Sequence, residues 1–326
     1  MLLEADRNQP RADISNTAFL ADVLGGLSSC PLAISARWFY DEAGSELFEE
    51  ITRLPEYYPT RTEAAMLRQN APDIAQKVGL GRAVVEFGSG SSSKTPLLLN
   101  AVDPVAYIPI DISGDFLRTS AAALAEGFPG LPVLPIEADF LHPIGLPPRV
   151  TGLPRLGFFP GSTIGNLTPD TAVDLLRAMA DTLGHGSMLL IGMDRVKSLD
   201  ILIPAYDDAA GVTARFNLNL LHRINRELGG DIPVASFRHR AIWNEDASRI
   251  EMHLEAMADC SFQVAGRPFA MKVSETIHTE NSHKYAPRDA RLLLRAGGWT
   301  PVAEYSDPDE MFMLILAEAQ PAPVAP

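Results

Sequence analysis

The sequence predicts an α/β protein, a doubly wound and mainly parallel sheet joined to a second, α+β lobe. Three observations lead there. From residue 82 to about residue 194, short apolar strands alternate with helical stretches, the rhythm of a parallel sheet with right-handed crossovers. The first of these strands runs straight into Gly88-Ser89-Gly90 and the second ends in Asp111, the place where such a sheet takes a ligand. Past Asp194 the alternation stops, and a long helical stretch followed by period-two strands reads as a separate lobe.

Taken in order, 16–24 reads as a short helix and 45–53 as another, with Leu47, Phe48 and Ile51 at helical spacing. Pro55 and Pro59 force the residues between them, Tyr57 and Tyr58 included, into an extended turn. Helix resumes over 62–71. Strands follow at 83–87, 106–110 and 133–136, separated by helices at 94–102 and 116–126. A fourth strand is expected at 156–159. In the next helix Thr168 stands as N-cap, Pro169 at the first helical position and Gly184 as the stop. The fifth strand is 187–193. Residues 199–228 read as one long helical stretch, 243–254 and 262–277 as antiparallel strands, 287–297 as a helix and 312–317 as a last strand. The sheet domain is therefore expected at 61–196 plus 287–326, and the second lobe at 1–60 plus 197–286. The first dozen residues and the closing QPAPVAP read as loose ends.

Composition narrows the function. Of 326 residues, 46% are hydrophobic and 21% charged, which excludes wholesale disorder. Lys and Arg number 27 against 41 Asp and Glu, a net charge of −14 that disfavours a nucleic-acid partner but not a cationic small molecule. Cys30 and Cys260 lack a Cys-x-x-Cys spacing, so neither a disulfide framework nor a cysteine zinc site is expected. Cys260 reads as a buried packing thiol. The N-terminal residues lack the basic start and apolar run of a signal peptide, and apolar stretches of about seven residues are too short for a membrane span. A cytoplasmic protein is expected.

The first strand and its loop, Val84 to Gly90, let the backbone turn tightly against a ligand. Asp111, about twenty residues on, suits a pair of ribose hydroxyls, and Asp139-Phe140 after the third strand suits an adenine ring. Three ligands compete here. A dinucleotide wants G-x-G-x-x-G and a triphosphate wants G-x-x-x-x-G-K-[ST]; both patterns fail at Ser93. S-adenosylmethionine carries no phosphate and tolerates Ser93. A plain tight turn is the fourth reading. Gly161 to Asn166, after the fourth strand, offers backbone groups and one amide as the wall for an acceptor, although Asn166 also suits a simple turn.

Longer motifs then become legible. Tyr40-Asp41 with Gly44-Ser45-x-Leu47-Phe48, and the run from Ile51 through Pro55-Glu56-Tyr57-Tyr58-Pro59 to Arg61, resemble the bacterial L-histidine Nα-methyltransferases of ergothioneine biosynthesis. Glu86-Phe87-Gly88-Ser89-Gly90 with Lys94-Thr95, Gly161 to Thr168, Ala205 to Ala214, Arg249-Ile250-Glu251-Met252 and Thr279-Glu280-Asn281-Ser282 are similar in the same way. The resemblance covers about residues 15 to 317. It implies a class I, Rossmann-like methyltransferase fold with an added histidine-binding lobe, and trimethylation of the histidine α-amino group to hercynine with S-adenosyl-L-methionine.

Carried over residue by residue, the resemblance assigns Gly88, Lys94, Asp111, Asp139 and Phe140 to the methyl donor. It assigns Tyr57, Asn166, Tyr206, Glu280 and Ser282 to histidine, with Tyr40 and Met252 beside them. Asn166 and Tyr206 would handle the amino-acid backbone, Glu280 and Ser282 the imidazole, and Tyr40 and Asn166 the position of the amine. The stretch from Asn281 to Tyr285 departs from the family pattern, and His283 receives no role. An α-amino group titrates near pH 8, so keeping it neutral at pH 7 costs about 1.4 kcal/mol, whereas positioning can supply about 7–11 kcal/mol. No base is therefore assigned. The expected partner is a small-molecule amino acid, with no nucleic acid, no membrane and a monomeric enzyme. Alternatives are the same chemistry on tyrosine or tryptophan, a nucleotide-binding phosphotransferase built on Gly88 to Thr95, and a silent amino-acid sensor.

The remaining chemistry-bearing residues read blandly. The seven histidines show no H-x-x-x-H spacing, so no metal site is expected. Asp207-Asp208 suit either an exposed helix face or the orientation of Tyr206. Trp38, Trp243 and Trp299 read as core or interface.

Overall fold

The computed structural model describes residues 14–90 and 94–320, so the Ser93 position and, except for Gln320, the expected loose ends lie outside the described residues. The chain opens with α1 (Ile14–Gly26), α2 (Glu42–Ile51) and α3 (Tyr58–Val78). An alternating run follows: β1 (Ala83–Phe87), α4 (Thr95–Val102), β2 (Ala106–Asp111), α5 (Gly114–Gly127), β3 (Ile136–Glu137), β4 (Arg155–Phe159), α6 (Pro169–Leu183) and β5 (Met188–Asp194). Then come α7 (Leu199–Tyr206), α8 (Val212–Leu228), β6 (Phe237–Asn244), β7 (Arg249–Ala256), β8 (Cys260–Val264), β9 (Arg267–Met271) and β10 (Thr276–His283). The last elements are α9 (Pro287–Ala296), β11 (Trp299–Ser306) and β12 (Phe312–Ala319).

These elements fall into two units. The larger holds Glu49–Tyr206, Trp243–Ile250 and the chain from Asn281 onward; the smaller holds the residues up to Phe48, Asp207–Ile242 and Glu251–Glu280. The larger unit is built on a seven-stranded sheet in the order β11-β12-β5-β4-β1-β2-β3. β1 to β5 are parallel, as the alternation predicted, and β12 enters antiparallel beside β5. Strand alternation divides its core in two. Val85, Phe87, Phe159 and Ile191 pack with Leu175, Leu176 and Met179 of α6 and Leu294 of α9. Val84, Phe158 and Leu190 pack with Met66 and Ile74 of α3 and Leu98 and Leu99 of α4. Burying both faces explains why these strands are almost continuously apolar. It also leaves the carboxyl ends of the strands as the open edge for chemistry, with the order reversing between β1 and β4.

Five regions differ from expectation. The strands expected at 243–254 and 262–277 are parts of five shorter ones, β6 to β10, because turns and bends at 245–248, 257–258, 265–266 and 273–274 interrupt the alternation. The extended turn at Pro55–Pro59 is shorter than predicted, because Pro59 sits in the first turn of α3, where its missing N–H costs no hydrogen bond. The third strand shrinks to Ile136–Glu137, while Val133 makes a lone bridge to Tyr107. The single helix expected over 199–228 is two. Asp208 accepts the N–H groups of Val212 and Thr213 at 2.9 and 2.7 Å, and Gly211 adopts φ +69, so a new helix starts there. Asp208 is thus a buried cap rather than an exposed face. β11 was not expected; it is the sheet edge, and Pro301 lies at its bulge, the position an edge strand tolerates.

The smaller unit contains α1, α8, most of the three-stranded sheet β10-β7-β6 and the β8–β9 hairpin. Ala265 and Gly266, both at positive φ, make the two-residue hairpin turn. Phe19 of α1 packs at a tilt on Trp38, with centroids 4.8 Å apart, and the Trp38 indole N–H donates to Asp22 at 2.7 Å. Trp299, in the larger unit, is fully buried and donates to the carbonyl of Leu176 at 2.9 Å. Cys260 is half-buried.

Candidate active site

At the open edge of the larger unit, β1 ends in a turn whose left-handed backbone favours glycine. Gly88 has φ +70 and donates its N–H to the Ile110 carbonyl at 2.9 Å, and a Cβ there would meet the Phe140 ring at 3.4 Å. Gly90, at φ +48, donates to Asp111 Oδ2 at 3.0 Å, while Asp111 Oδ1 accepts from Ser113 at 2.9 Å. The carboxylate that ends β2 is therefore fixed against the glycine turn. Asp139 lies in the loop after β3, with Oδ1 accepting the Leu141 N–H at 3.1 Å. Phe140 stands edge-on to Phe87 and Phe159, with centroids 6.4 and 5.9 Å apart. Gly88, Asp111 and Phe140 thus come together as expected. This cradle fits an S-adenosyl group: it sets a fixed carboxylate and an aromatic ring beside a glycine turn.

Lys94 is placed by a partner the sequence did not reveal. Its ammonium pairs with Glu63 of α3, which is fully buried. The same carboxylate accepts the Gly161 N–H through Oε2 at 2.9 Å and Oε1 at 3.1 Å. Gly192 of β5 makes room for it, since a Cβ there would stand 2.0 Å from Glu63 Oε1. One buried acid therefore joins the Lys94 end of the donor loop to the loop after β4. Below it, Glu86 of β1 accepts hydroxyl protons from Thr95 at 2.7 Å and Tyr107 at 2.6 Å. Burial dominates these bonds and pushes the Glu86 carboxyl up to about 7.

The loop after β4 carries Asn166 at the end of a 3-10 turn, Thr163–Asn166. Asn166 is half-buried. Gly165 lets this turn lie on the β10 backbone, where a Cβ would be 2.9 Å from the His283 carbonyl oxygen. Ser162, at φ +57, accepts the Asp194 N–H on its hydroxyl at 2.9 Å.

Asp194, the last residue of β5, anchors a buried network. Its Oδ2 accepts from Tyr58 at 2.6 Å and from Lys284 at 2.8 Å, and its Oδ1 accepts from Lys197 at 2.5 Å. Lys197 also donates to the Tyr58 hydroxyl at 2.6 Å. Lys284 donates to Tyr206 at 2.7 Å and to Ser282 at 2.8 Å, and these two hydroxyls lie 2.7 Å apart. Burial works against the Asp194 charge, but the Lys284 and Lys197 ammonium groups outweigh it and hold the carboxyl below its ordinary range. Burial draws Lys197 down to about 8, and it pushes the Tyr58 hydroxyl up with help from the Asp194 charge. Tyr57 stands edge-on to Tyr206, centroids 6.3 Å apart. Tyr57, Tyr206 and Ser282 are therefore brought together. Glu63, Tyr58, Asp194, Lys197 and Lys284 were missed; for Glu63 and Asp194 the available signal was a charged residue on an apolar helix face or at the end of an apolar strand.

The smaller unit places the other three expected residues. Tyr40 packs edge-on against Phe48 and Phe216, with centroids 5.7 and 5.8 Å apart. Asp41 beside it accepts from Gly44 and Asn219, each at 2.8 Å, and pairs with Arg226. Gly44 is required there, because a Cβ would stand 1.8 Å from the Phe39 carbonyl oxygen. The Met252 side chain is buried, and its carbonyl accepts from Thr279 at 3.0 Å. Glu280 is half-buried, and its carbonyl lies 3.0 Å from His278 Nε2. Histidine spacing missed one convergence. Glu251, His253 and His278 bring donor atoms within 4.8 Å of one another, because i,i+2 positions on β7 meet β10 across the sheet. Within it the His253 and His278 rings stack at 4.8 Å, and His253 Nε2 is 3.0 Å from Glu251.

A parallel sheet with β12 reversed beside β5, a glycine turn after β1 and an acid closing β2 define a class I, Rossmann-like methyltransferase. The profile of the histidine-specific, S-adenosylmethionine-dependent methyltransferases matches residues 19–319, and the chain belongs to that family. It is 42% identical over 316 residues to the histidine N-alpha-methyltransferase of Mycolicibacterium smegmatis, covering 95% of this chain and 98% of that one. With the histidine N-alpha-methyltransferase of Mycobacterium tuberculosis it shares 39% identity over 311 residues, covering 94% and 96%. A Neurospora crassa protein named ergothioneine biosynthesis protein 1 is 27% identical over 307 residues, 89% of this chain and 34% of that protein. Of the ligands open to the Gly88 loop, the methyl donor is the one borne out. No helix among the described residues is long and apolar enough to cross a membrane.

Proposed function

We propose that this enzyme methylates the α-amino nitrogen of L-histidine three times, giving the betaine hercynine, a step of ergothioneine biosynthesis. The match to histidine N-alpha-methyltransferases over nearly the whole of both chains carries this reading. When bound, S-adenosylmethionine supplies a methyl carbon made electrophilic by a sulfonium. Gly88, Lys94, Asp111, Asp139 and Phe140 hold it. Asn166 and Tyr206 take the amino-acid backbone, Tyr40 and Asn166 position the amine, and Tyr57 walls the pocket. Glu280 and Ser282 take the imidazole, with Met252 against it. Before each transfer the nitrogen releases one proton to solvent; its lone pair then forms the new N–C bond as the methyl–sulfur bond breaks, with that bond's electron pair left on sulfur. No base is assigned, because positioning exceeds the deprotonation cost several-fold. The tyrosine faces add about 0.5–2 kcal/mol for the growing cation. A monomeric, cytoplasmic enzyme without a nucleic-acid partner completes the reading, in keeping with the net charge of −14.

The test is a panel of amino acids assayed side by side with labelled methyl donor. Histidine should be turned over far faster than tyrosine or tryptophan. Preference for either of those would move the chemistry to another acceptor.

A further inference from the structure

In the smaller unit the buried face of α8 is apolar at Phe216, Leu220, Leu221 and Ile224, yet it also carries a fully enclosed amide, Asn217. An amide nitrogen donates and its oxygen accepts. Asn217 Nδ2 donates to the His253 carbonyl at 3.2 Å and lies 2.9 Å from His239 Nδ1, which is therefore the acceptor there. Both amide N–H groups are thus used. Asn217 Oδ1 accepts from the Thr279 hydroxyl at 2.9 Å, and that hydroxyl is 3.0 Å from the Met252 carbonyl, so one proton serves both oxygens. One side chain on a helix therefore holds β6 at His239, β7 at Met252 and His253, and β10 at Thr279. An apolar residue would fill the place without burying polar groups that must all be paired, so packing alone does not call for the amide.

We propose that Asn217, acting through Thr279, is a positioning residue for recognition of the histidine side chain. It fixes β7 at Met252 and β10 at the residue next to Glu280, so that these two side chains meet the imidazole at one set spacing. Small shifts in such a spacing are costly, because a misplacement of about 1 Å far from the chemistry can lose on the order of a hundredfold. The inference rests on the histidine reading above and adds to it the device that sets the side-chain end of the pocket.

The experiment is steady-state kinetics with each substrate varied in turn, on variants whose folding is checked by circular dichroism. Asn217→Ala should raise the KM for histidine roughly 10- to 100-fold, leave that for S-adenosylmethionine within about twofold and change kcat by under about threefold. Thr279→Val should raise the histidine KM roughly tenfold, while Thr279→Ser, which keeps the hydroxyl, should stay within about threefold of wild type. The double variant should exceed Asn217→Ala alone by under about threefold, since the two residues act as one unit. Where Asn217→Ala fails to fold, the contrast between Thr279→Val and Thr279→Ser decides. Additive losses, equal shifts in both KM values, or a Thr279→Ser as impaired as Thr279→Val would mean a merely structural amide and overturn the assignment. Folded variants with the wild-type KM for histidine overturn this assignment alone, whereas a wild type that turns over no histidine overturns the functional reading as well.

Discussion

The Glu63 carboxylate receives the backbone N–H of Gly161 through both of its oxygens, at 2.9 and 3.1 Å, while Lys94 pairs with it from the donor loop. A helix that contributes no motif to donor binding thus ties two site loops together. Removing one partner of a buried pair leaves the other charge uncompensated.

Glu63→Gln should therefore destabilise the protein by about 3–5 kcal/mol and weaken S-adenosylhomocysteine more than histidine. Urea unfolding and ligand titration check both. A loss below about 1 kcal/mol would show that Lys94 and Gly161 do not depend on this acid.

Glu86 gives a pH signature. Its carboxyl, raised from 4.5 to about 7, keeps its proton in the native state where the unfolded chain has already released it. Stability from this group is therefore present below about pH 4.5, falls as pH rises to 7, and stays lower above, by roughly 3 kcal/mol in all. Glu86→Gln should flatten that decline. Melting curves of the two proteins that stay parallel from pH 4.5 to 7 would refute it.

Gly165→Ala places a methyl group against the His283 carbonyl, a backbone atom that cannot rotate away. The expected cost is about 1–3 kcal/mol of stability together with a raised KM for histidine, because Asn166 follows directly. An unchanged Tm and KM would mean that the 3-10 turn is not held by this approach.

Glu280→Ala should raise the KM for histidine roughly 10- to 100-fold, the cost of one charged hydrogen bond, with a much smaller change for the methyl donor. Steady-state kinetics with each substrate varied in turn decide this. Equal changes in both constants would take Glu280 out of the histidine site.

The sheet was legible in the sequence because its chemistry is local. Apolar runs, Gly88 and Gly90 with positive φ, and Asp111 at a strand end each follow from neighbours within a few residues. What escaped detection joins distant positions. Tyr58 and Asp194 are 136 residues apart, and Tyr206 and Lys284 are 78 apart. No periodicity encodes such pairs. The break in the helix at Asp208 escaped because Pro204 and Gly211 are weak stops beside a continuous apolar pattern, whereas the carboxylate capping Val212 and Thr213 is decisive. β11 was hidden by Pro301, which a central strand would exclude but an edge bulge accepts.

The most direct test is tandem mass spectrometry of histidine incubated with enzyme and S-adenosylmethionine. Successive gains of one, two and three methyl groups are expected, every one on the α-nitrogen. Methyl groups found on the imidazole ring, or a histidine left unmodified, would contradict the account.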